Sequence, residues 1–140
     1  MKNMPAPAAP RWFVVDDESL LLSLAQHVLC KYSVADVCTC ADPCEALDHM
    51  ADAPAGIELL VTDLNMPRMN GLELARQFHE LAPRAKVLLI TGSAMTLPDK
   101  RTLESHGVDF LLPKPFGAYD LMRAVRHLCG TESLKSFPGD

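Results

Sequence analysis

Five polar residues stand where apolar segments of the sequence end, although they are far apart along the chain. They are Asp16, Asp17, Asp63, Thr91 and Lys114. Carboxylates brought close together repel one another, and a hard divalent cation such as Mg²⁺, which prefers oxygen ligands, relieves that repulsion. An ammonium and a hydroxyl beside a carboxylate suit the oxygens of a phosphoryl group, and an aspartate can accept that group as a nucleophile. Brought together, these residues predict metal-assisted phosphoryl transfer to an aspartate.

The elements that carry these residues alternate between apolar strands and amphipathic helices five times. The predicted strands are Trp12–Val15, Ser33–Cys40, Ile57–Thr62, Lys86–Thr91 and Val108–Leu112. The predicted helices are Ser19–Lys31, a helix that begins at Pro43 with Asp42 as its N-cap, Gly71–Leu81 with Asn70 as its N-cap, Leu97–His106, and Ala118–Cys129. Right-handed crossovers between such strands give a parallel sheet with helices on both faces. We therefore predict an α/β, flavodoxin-like (βα)5 three-layer sandwich with strand order 2-1-3-4-5.

The predicted topology places the five polar residues at one edge of the sheet. Ligands of open parallel sheets bind beyond the carboxyl ends of the strands, where the strand order reverses, which here is between the first and third strands. Each residue alone has an ordinary structural explanation. An Asp pair after a strand often makes a turn or a helix cap, a threonine that ends a strand is uninformative, and a lysine between prolines is usually a solvated loop residue. Their joint position is what favours a site.

The composition describes one acidic domain. The 140 residues are 49% hydrophobic, with a formal net charge of −5 and a pI near 5.5. Such a chain lacks the positive field that draws proteins to nucleic acids. No apolar run reaches the roughly 20 residues that span a bilayer, and the N-terminus has no apolar signal segment, so we expect a cytoplasmic protein. We expect a disordered lead-in at residues 1–10, one domain at residues 11–130 and a flexible tail at residues 131–140.

The chain has five cysteines, an odd number without a secretion signal, which argues against a disulfide framework. Cys38, Cys40 and Cys44 are close enough in sequence to raise the question of a metal or redox site. Their spacing fits no standard zinc pattern, and no histidine lies among them. We prefer the simpler interpretation, that they are small and partly buried apolar residues, and leave their role open.

Four segments carry a resemblance to a known family. They are Val14–Glu18 (VVDDE), Val61–Gly71 (VTDLNMPRMNG), Ile90–Gly92 (ITG) and Pro113–Phe116 (PKPF). In this order and spacing they resemble the receiver domain of two-component response regulators, over about Arg11 to Cys129. The resemblance implies phosphorelay signal transduction. A receiver of this family takes its phosphoryl group from a phosphohistidine of a sensor histidine kinase or a histidine phosphotransfer protein. It is not a classical enzyme, but it catalyses the transfer and slowly hydrolyses its own acyl phosphate.

The resemblance assigns the acidic residues to phosphorylation and metal binding. Asp63 is the phosphoacceptor. Asp17 and Asp63 bind Mg²⁺, or Mn²⁺, through their side chains, and Asn65 binds it through its backbone carbonyl. Asp16 binds the same ion directly or through water.

The resemblance also implies which residues hold the phosphoryl group. Lys114 pairs with the carboxylate and then with the phosphoryl group, while Thr91 moves to hydrogen-bond one of its oxygens. A cis peptide bond before Pro115 aims Lys114 inward. Asn65 and Ser93 stand at positions that modulate the lifetime of the acyl phosphate.

Two residues depart from the family pattern. A Tyr or Phe usually stands three residues before the lysine and rotates as the threonine moves, whereas Leu111 stands there in this chain. Phe110 is its neighbour, and strand alternation points it to the opposite face. Pro113 stands where a small or β-branched residue is common. These departures bear on the usual Thr–aromatic switch rather than on the phosphorylation chemistry.

We expect a receiver without an attached output domain, either stand-alone or excised from a hybrid kinase. Its partners would be the phosphohistidine donor and an unidentified downstream protein, which binds the face of helix 4, strand 5 and helix 5. We expect a monomer or a phosphorylation-dependent dimer, with no nucleic-acid or membrane partner.

Two alternatives of other classes stay open. The first is a receiver-like interaction module with little or no phosphorylation-dependent switching, for which Leu111 leaves room. The second is a true enzyme on a similar fold. An aspartyl-phosphate phosphatase would need a second Asp where Asn65 stands, and a flavin protein would need a phosphate-binding loop where Asp16 and Asp17 would repel the phosphate.

Overall fold

A computed structural model of the chain describes residues 9–92 and 97–136. Five parallel strands form one sheet in the order β2-β1-β3-β4-β5, which confirms the predicted topology. The strands are β1 (Arg11–Val15), β2 (Asp36–Cys40), β3 (Ile57–Asp63), β4 (Lys86–Thr91) and β5 (Phe110–Pro113). The helices are α1 (Ser19–Tyr32), α2 (Pro43–Asp52), α3 (Gly71–Leu81), α4 (Lys100–Ser105) and α5 (Ala118–Cys129).

The three central strands are apolar on both faces because helices cover the sheet on both sides. Trp12 to Val15 of β1 are completely buried, as are Val87 to Ile90 of β4. One core contains the inner faces of α1 and α5, together with Trp12 of β1. The other contains the inner faces of α2 and α3, together with Phe13. The central strands therefore hold fixed positions between two cores, and so do the polar residues at their carboxyl ends.

Side-chain caps define where three of the helices begin. Asp42 accepts a hydrogen bond from the backbone N–H of Cys44 at the start of α2 (2.9 Å). Asn70 accepts one from the backbone N–H of Glu73 at the start of α3 (2.9 Å). Both caps were predicted from the sequence. Asp99 caps α4 in the same way, and this cap was missed.

The cap at Asp99 explains why α4 is shorter than predicted. The Asp99 carboxylate accepts from the N–H of Thr102 (2.7 Å), so the helix begins at Lys100 rather than Leu97. None of its residues is fully buried. The two edge strands are also shorter than predicted, since β2 begins at Asp36 and β5 at Phe110.

The apolar face of α1 is only partly buried. Periodicity places Leu20, Leu21, Leu24, Val28 and Leu29 on or near one side of this helix. Val28 and Leu29 lie in the core, but Leu20 is 84% exposed and Leu24 is 41% exposed. The first turn of α1 therefore presents apolar surface beyond the edge of the core.

Residues 131–136, which belong to the tail predicted at residues 131–140, contact the end of α1. Leu134 packs against the core beside α1 and α5, and it forms an antiparallel bridge with Ser33. The N–H of Val34 donates to the carbonyl of Ser133 (2.8 Å), and the N–H of Lys135 donates to that of Tyr32 (2.8 Å). Leu134 and these two hydrogen bonds together hold the segment against the end of α1. Residues 1–8 of the lead-in predicted at residues 1–10, and residues 137–140 of the predicted tail, lie outside the described part of the chain.

The five cysteines all lie within the described residues, and none forms a disulfide. Burial is the largest cause that raises the pKa of Cys40 to about 12, and the same holds for Cys129. Within the described residues, no cysteines come together in a group that could hold a metal ion. Cys40 and Cys129 therefore behave as small apolar residues. Among the described helices, none combines the length and the apolar character needed to cross a bilayer.

Candidate functional site

Three carboxylates meet at the carboxyl end of the sheet, where the strand order reverses. Asp16 follows β1 directly and is fully buried, and Asp63 is the last residue of β3 and only 6% exposed. Asp17 is exposed beside them. One oxygen of each carboxylate lies within 4.8 Å of the others. The topology thus brings together the three aspartates that the sequence selected.

The Asp16 carboxylate is held by one hydrogen bond inside the pocket. Its Oδ1 accepts a hydrogen bond from the N–H of Glu18 (2.8 Å), while its Oδ2 is buried and has no hydrogen-bond partner among the described residues. Burial is the main cause that raises the pKa of Asp16 to about 6; the bond from Glu18 opposes it and the charge of Asp63 adds to it. A buried carboxylate oxygen without a donor is a position that a cation would satisfy.

The pKa of Asp63 is raised for similar reasons. Burial is the largest cause; Lys114 counteracts it through its charge and a hydrogen bond, and the charges of Asp17 and Glu18 add to it. The carboxylate therefore pairs with one cation in a pocket that contains an excess of acidic groups.

Lys114 reaches into this pocket from the loop after β5. Its backbone N–H donates to the carbonyl of Thr91 (2.7 Å), and the Lys114–Pro115 peptide bond is cis. Its Nζ lies 3.3 Å from Oδ1 of Asp63 and 4.0 Å from Oδ2 of Asp16. Burial alone would lower the pKa of Lys114, but the hydrogen bond to Glu18 and the charges of Asp63 and Asp16 outweigh it and raise that pKa.

Thr91 and Gly71 complete the edge of the pocket. Thr91 ends β4 and is 2% exposed; it pairs with Pro113 of β5 and follows Ile90, which pairs with Asp63 of β3. The N–H of Gly71 donates to the carbonyl of Leu64 (2.8 Å). A Cβ at Gly71 would overlap the Asp63 carbonyl oxygen and would lie 2.8 Å from Cδ1 of Leu89. Only glycine fits where α3 begins against the end of β3.

The remaining predicted residues lie around this pocket. Asn65 is exposed in the loop after β3, two residues beyond Asp63. Ser93 lies outside the described residues. Leu111 pairs with Leu89 of β4 and lines a cavity of about 430 Å³ beside α4. Phe110 points to the opposite face, as alternation predicted, and its ring centroid lies 5.7 Å from that of His127 on α5.

Glu18 is the site residue that the sequence did not reveal. Its Oε1 lies 2.9 Å from Nζ of Lys114, closer than either aspartate. The two residues are 96 positions apart, and Glu18 follows the Asp pair without being part of any strand or metal-binding pattern. Two signals were available: its place beside Asp17 at the edge that the topology had already identified, and its inclusion in the Val14–Glu18 segment.

Comparisons with known proteins agree with this fold. The response regulator receiver domain family matches residues 13–126. The C4-dicarboxylate transport transcriptional regulatory protein DctD of Rhizobium meliloti is 32% identical over 85% of this chain and 25% of its own length. The response regulator MprA of Mycobacterium avium is 33% identical over 84% of this chain and 50% of its own length.

Solved structures show the same architecture. The chemotaxis protein CheY4 of Vibrio cholerae superposes with a TM-score of 0.76 at 26% identity, over 86% of this chain and 99% of that one. A response regulator receiver domain protein from Clostridium thermocellum superposes with a TM-score of 0.75 at 26% identity, over 85% of this chain and 93% of that one.

The chain belongs to the response regulator receiver domain family of two-component signalling. Receiver domains are not classical enzymes, and they bind Mg²⁺ in an acidic pocket, as the aspartate cluster here would allow. Membership in this family implies contact with sensor kinases or phosphotransfer proteins. The chain spans a quarter of the length of DctD and half that of MprA, so the activities of those whole proteins do not transfer to it.

Proposed function

We propose that this chain accepts a phosphoryl group on Asp63 from a phosphohistidine and that the modification changes its contacts with other proteins. The observation that carries the proposal is the environment of Asp63. Its carboxylate is nearly buried, lies 3.3 Å from the Lys114 ammonium and belongs to the three-aspartate cluster. A carboxylate held by one cation at the edge of an acidic pocket is suited to nucleophilic attack on phosphorus.

Mg²⁺, or Mn²⁺, would be held in this pocket by Asp16, Asp17, Asp63 and the backbone carbonyl of Asn65. The buried and unpartnered Oδ2 of Asp16 supports this, because a cation would satisfy it. Hard oxygen donors are the ligands that Mg²⁺ prefers. When bound, the ion would neutralise charge on the phosphoryl oxygens.

The transfer exchanges one bond for another. An oxygen of Asp63 forms a bond to phosphorus as the phosphorus–nitrogen bond of the phosphohistidine breaks, and the electron pair of that bond stays on the imidazole nitrogen. Lys114 donates hydrogen bonds to the transferred oxygens, and the Thr91 hydroxyl reorients to donate another. Later attack of water on phosphorus releases phosphate and restores the carboxylate. Asn65 and Ser93 would modulate the rate of that hydrolysis.

An apolar patch beside the pocket suits the approach of the donor protein. Leu20, Leu21, Leu24 and Phe116 line a depression of about 300 Å³ that also includes Lys114. Packing among residues 9–92 and 97–136 does not explain the 84% exposure of Leu20. A donor seated there would face the end of β5, from which Lys114 enters the pocket.

We propose that the downstream partner binds the face formed by α4, β5 and α5. Two cavities, of about 430 and 360 Å³, flank the outer edge of β5 on its two sides. Both are lined by Phe110 and Leu111. A surface with such depressions on an edge strand can accept side chains of a partner.

Intact-protein mass spectrometry after incubation with acetyl phosphate tests the phosphoacceptor. We expect a Mg²⁺-dependent gain of one phosphoryl group in wild type and none in Asp63→Ala. Asp48→Asn, an exposed aspartate on α2, is the matched control and should be phosphorylated like wild type. A gain that persists in Asp63→Ala would assign the chemistry to another residue, and no gain in wild type would refute the proposal.

A second function is favoured by Leu111. Without an aromatic ring at this position the chain would be a binding module whose α4, β5 and α5 face responds little to phosphorylation. Backbone amide NMR spectra with and without beryllofluoride, a phosphoryl mimic, separate the two. Shifts limited to the aspartate pocket would favour the binding module, and shifts that extend to Phe110 and α4 would favour a switch.

A further inference from the structure

The Lys114 ammonium has its closest ion-pair contact with a residue outside the aspartate cluster. Its Nζ lies 2.9 Å from Glu18, 3.3 Å from Asp63 and 4.0 Å from Asp16. The Glu18 side chain is 63% exposed, whereas the Asp63 side chain is 9% exposed. The cation on which phosphoryl binding depends is therefore shared between the pocket and its outer rim.

Helix capping does not explain a glutamate at this position. Glu18 is the N-cap residue of α1, where Ser, Thr, Asp and Asn are preferred, and its side chain makes no capping hydrogen bond. Its backbone carbonyl accepts from the N–H of Leu22 (3.1 Å), and its own N–H donates to Asp16 (2.8 Å). The backbone is thus held at both ends, and the side chain extends across the rim to Lys114.

We propose that Glu18 is a positioning residue that competes with the phosphoryl group for Lys114 and thereby sets how readily Asp63 accepts and holds that group. This inference rests on the proposed phosphorylation of Asp63. An ammonium has three N–H donors, and a phosphoryl group on Asp63 would draw them inward, away from Glu18. The contact with Glu18 is broken when phosphoryl oxygens take its place.

The exposure of Glu18 sets the size of the effect. An ion pair with one exposed partner contributes little free energy. Loss of the Glu18–Lys114 pair should therefore change the affinity of the pocket for a phosphoryl group by about two- to fivefold. Glu18 also adds a negative charge that repels an anionic phosphoryl group. The contact and the charge are separate causes, and they predict different behaviour for a shorter carboxylate.

Binding of beryllofluoride at saturating Mg²⁺, followed by fluorine NMR, tests the inference. Glu18→Gln removes the charge and the ion pair. Glu18→Asp keeps the charge but is one methylene shorter, so it loses the 2.9 Å contact. We expect the beryllofluoride concentration at half occupancy to be about two- to fivefold lower in both variants than in wild type. Glu132→Gln, an exposed glutamate near the C-terminus, should match wild type.

Two further measurements distinguish positioning from a structural role. The acetyl phosphate concentration that gives half the maximal phosphorylation rate should fall in both Glu18 variants, with a smaller change in the maximal rate. The urea midpoint of Glu18→Gln should equal that of wild type, since the side chain is largely exposed. Glu18→Asp places a preferred N-cap residue at the start of α1 and should be at least as stable as wild type. The Mg²⁺ affinity of each variant is measured separately so that all are compared with the metal site saturated.

Each outcome bears on the inference. Tighter beryllofluoride binding in both Glu18 variants supports it. Tighter binding in Glu18→Gln alone would overturn it, because charge rather than contact would then be the cause, and unchanged binding in both would overturn it as well. Failure of wild type to bind beryllofluoride with Mg²⁺ would instead refute the phosphorylation of Asp63 on which the inference rests.

Discussion

Replacement of Asp16 by asparagine should stabilise the metal-free protein at neutral pH. The Asp16 carboxylate is fully buried, and its Oδ2 has no hydrogen-bond partner in the described part of the chain. Burial and the neighbouring charge of Asp63 raise its pKa from 3.8 to about 6, against the hydrogen bond from Glu18. Asparagine keeps an oxygen for that bond and carries no charge to desolvate.

The magnitude follows from the raised pKa. Each pKa unit corresponds to about 1.4 kcal/mol, so keeping Asp16 charged in the folded protein costs at most about 3 kcal/mol of stability. The raised pKa already includes the lowering by the Lys114 ammonium, 4.0 Å away, so only solvent at the open rim reduces the cost of the charge further. We therefore expect Asp16→Asn to raise the free energy of unfolding by about 1–2 kcal/mol at neutral pH.

The stability that Asp16→Asn gains over wild type should increase as the pH rises. Because the folded pKa of Asp16 exceeds the unfolded one, the folded state binds a proton more tightly between those two values. Wild type therefore loses stability as the pH rises from about 4 towards 7, while the asparagine variant has no such loss from this position. The difference between them should be full at neutral pH and should shrink towards zero near pH 4.

Urea unfolding in a chelator at several pH values measures this difference. Mg²⁺ should favour wild type, which keeps all three carboxylates, and an ion at ten times its dissociation constant adds about 1.4 kcal/mol. Asp48→Asn should show neither effect, because Asp48 is exposed on α2. An Asp16→Asn variant that is no more stable than wild type at neutral pH, or whose gain does not vary with pH, would refute the reasoning.

Three other substitutions test separate features of the structure. Gly71→Ala sets a Cβ against the Asp63 carbonyl, and we expect a loss of about 2–3 kcal/mol in urea unfolding together with loss of phosphorylation by acetyl phosphate. Asn70→Ala removes the cap of α3 and should cost about 1 kcal/mol while phosphorylation persists. Leu111→Tyr extends into the cavity of about 430 Å³ and should change stability by less than about 1 kcal/mol.

These three predictions have their own controls. An unchanged urea midpoint in Gly71→Ala would show that α3 can move away from β3. Asn70→Asp keeps the capping oxygen and should match wild type, so equal losses in the alanine and aspartate variants would rule out the cap as the cause. A large destabilisation in Leu111→Tyr would show that the cavity does not admit the ring.

The sheet was predictable because its central strands combine two signals. β1, β3 and β4 are mainly apolar, and the apolar run of each ends at a polar residue: Asp16 after β1, Thr62 in β3 and Thr91 in β4. The rule that ligands bind where parallel strand order reverses then located Asp16, Asp17 and Asp63 at one edge. Backbone topology alone determines that placement, so the residue pattern was sufficient.

The ends of the edge elements were less predictable, because few contacts determine them. α4 begins at Lys100 rather than at the predicted Leu97 because Asp99 caps it, and the polar start of this segment gave no signal for that boundary. β2 begins later than its apolar run because Ser33 pairs with Leu134 from the far end of the chain. A contact across 101 positions leaves no trace in the local pattern from which a strand is predicted.

The identity of the Lys114 partners could not be read from the sequence for a different reason. Strand order brings the backbone of Lys114 to the pocket, but the position of the ammonium depends on the rotamers of a long side chain. Three carboxylates lie within 4.0 Å of it, and the closest belongs to Glu18, whose backbone is fixed by Asp16 and Leu22. Topology therefore identifies which residues gather at the pocket, whereas local backbone geometry decides which of them the cation contacts first.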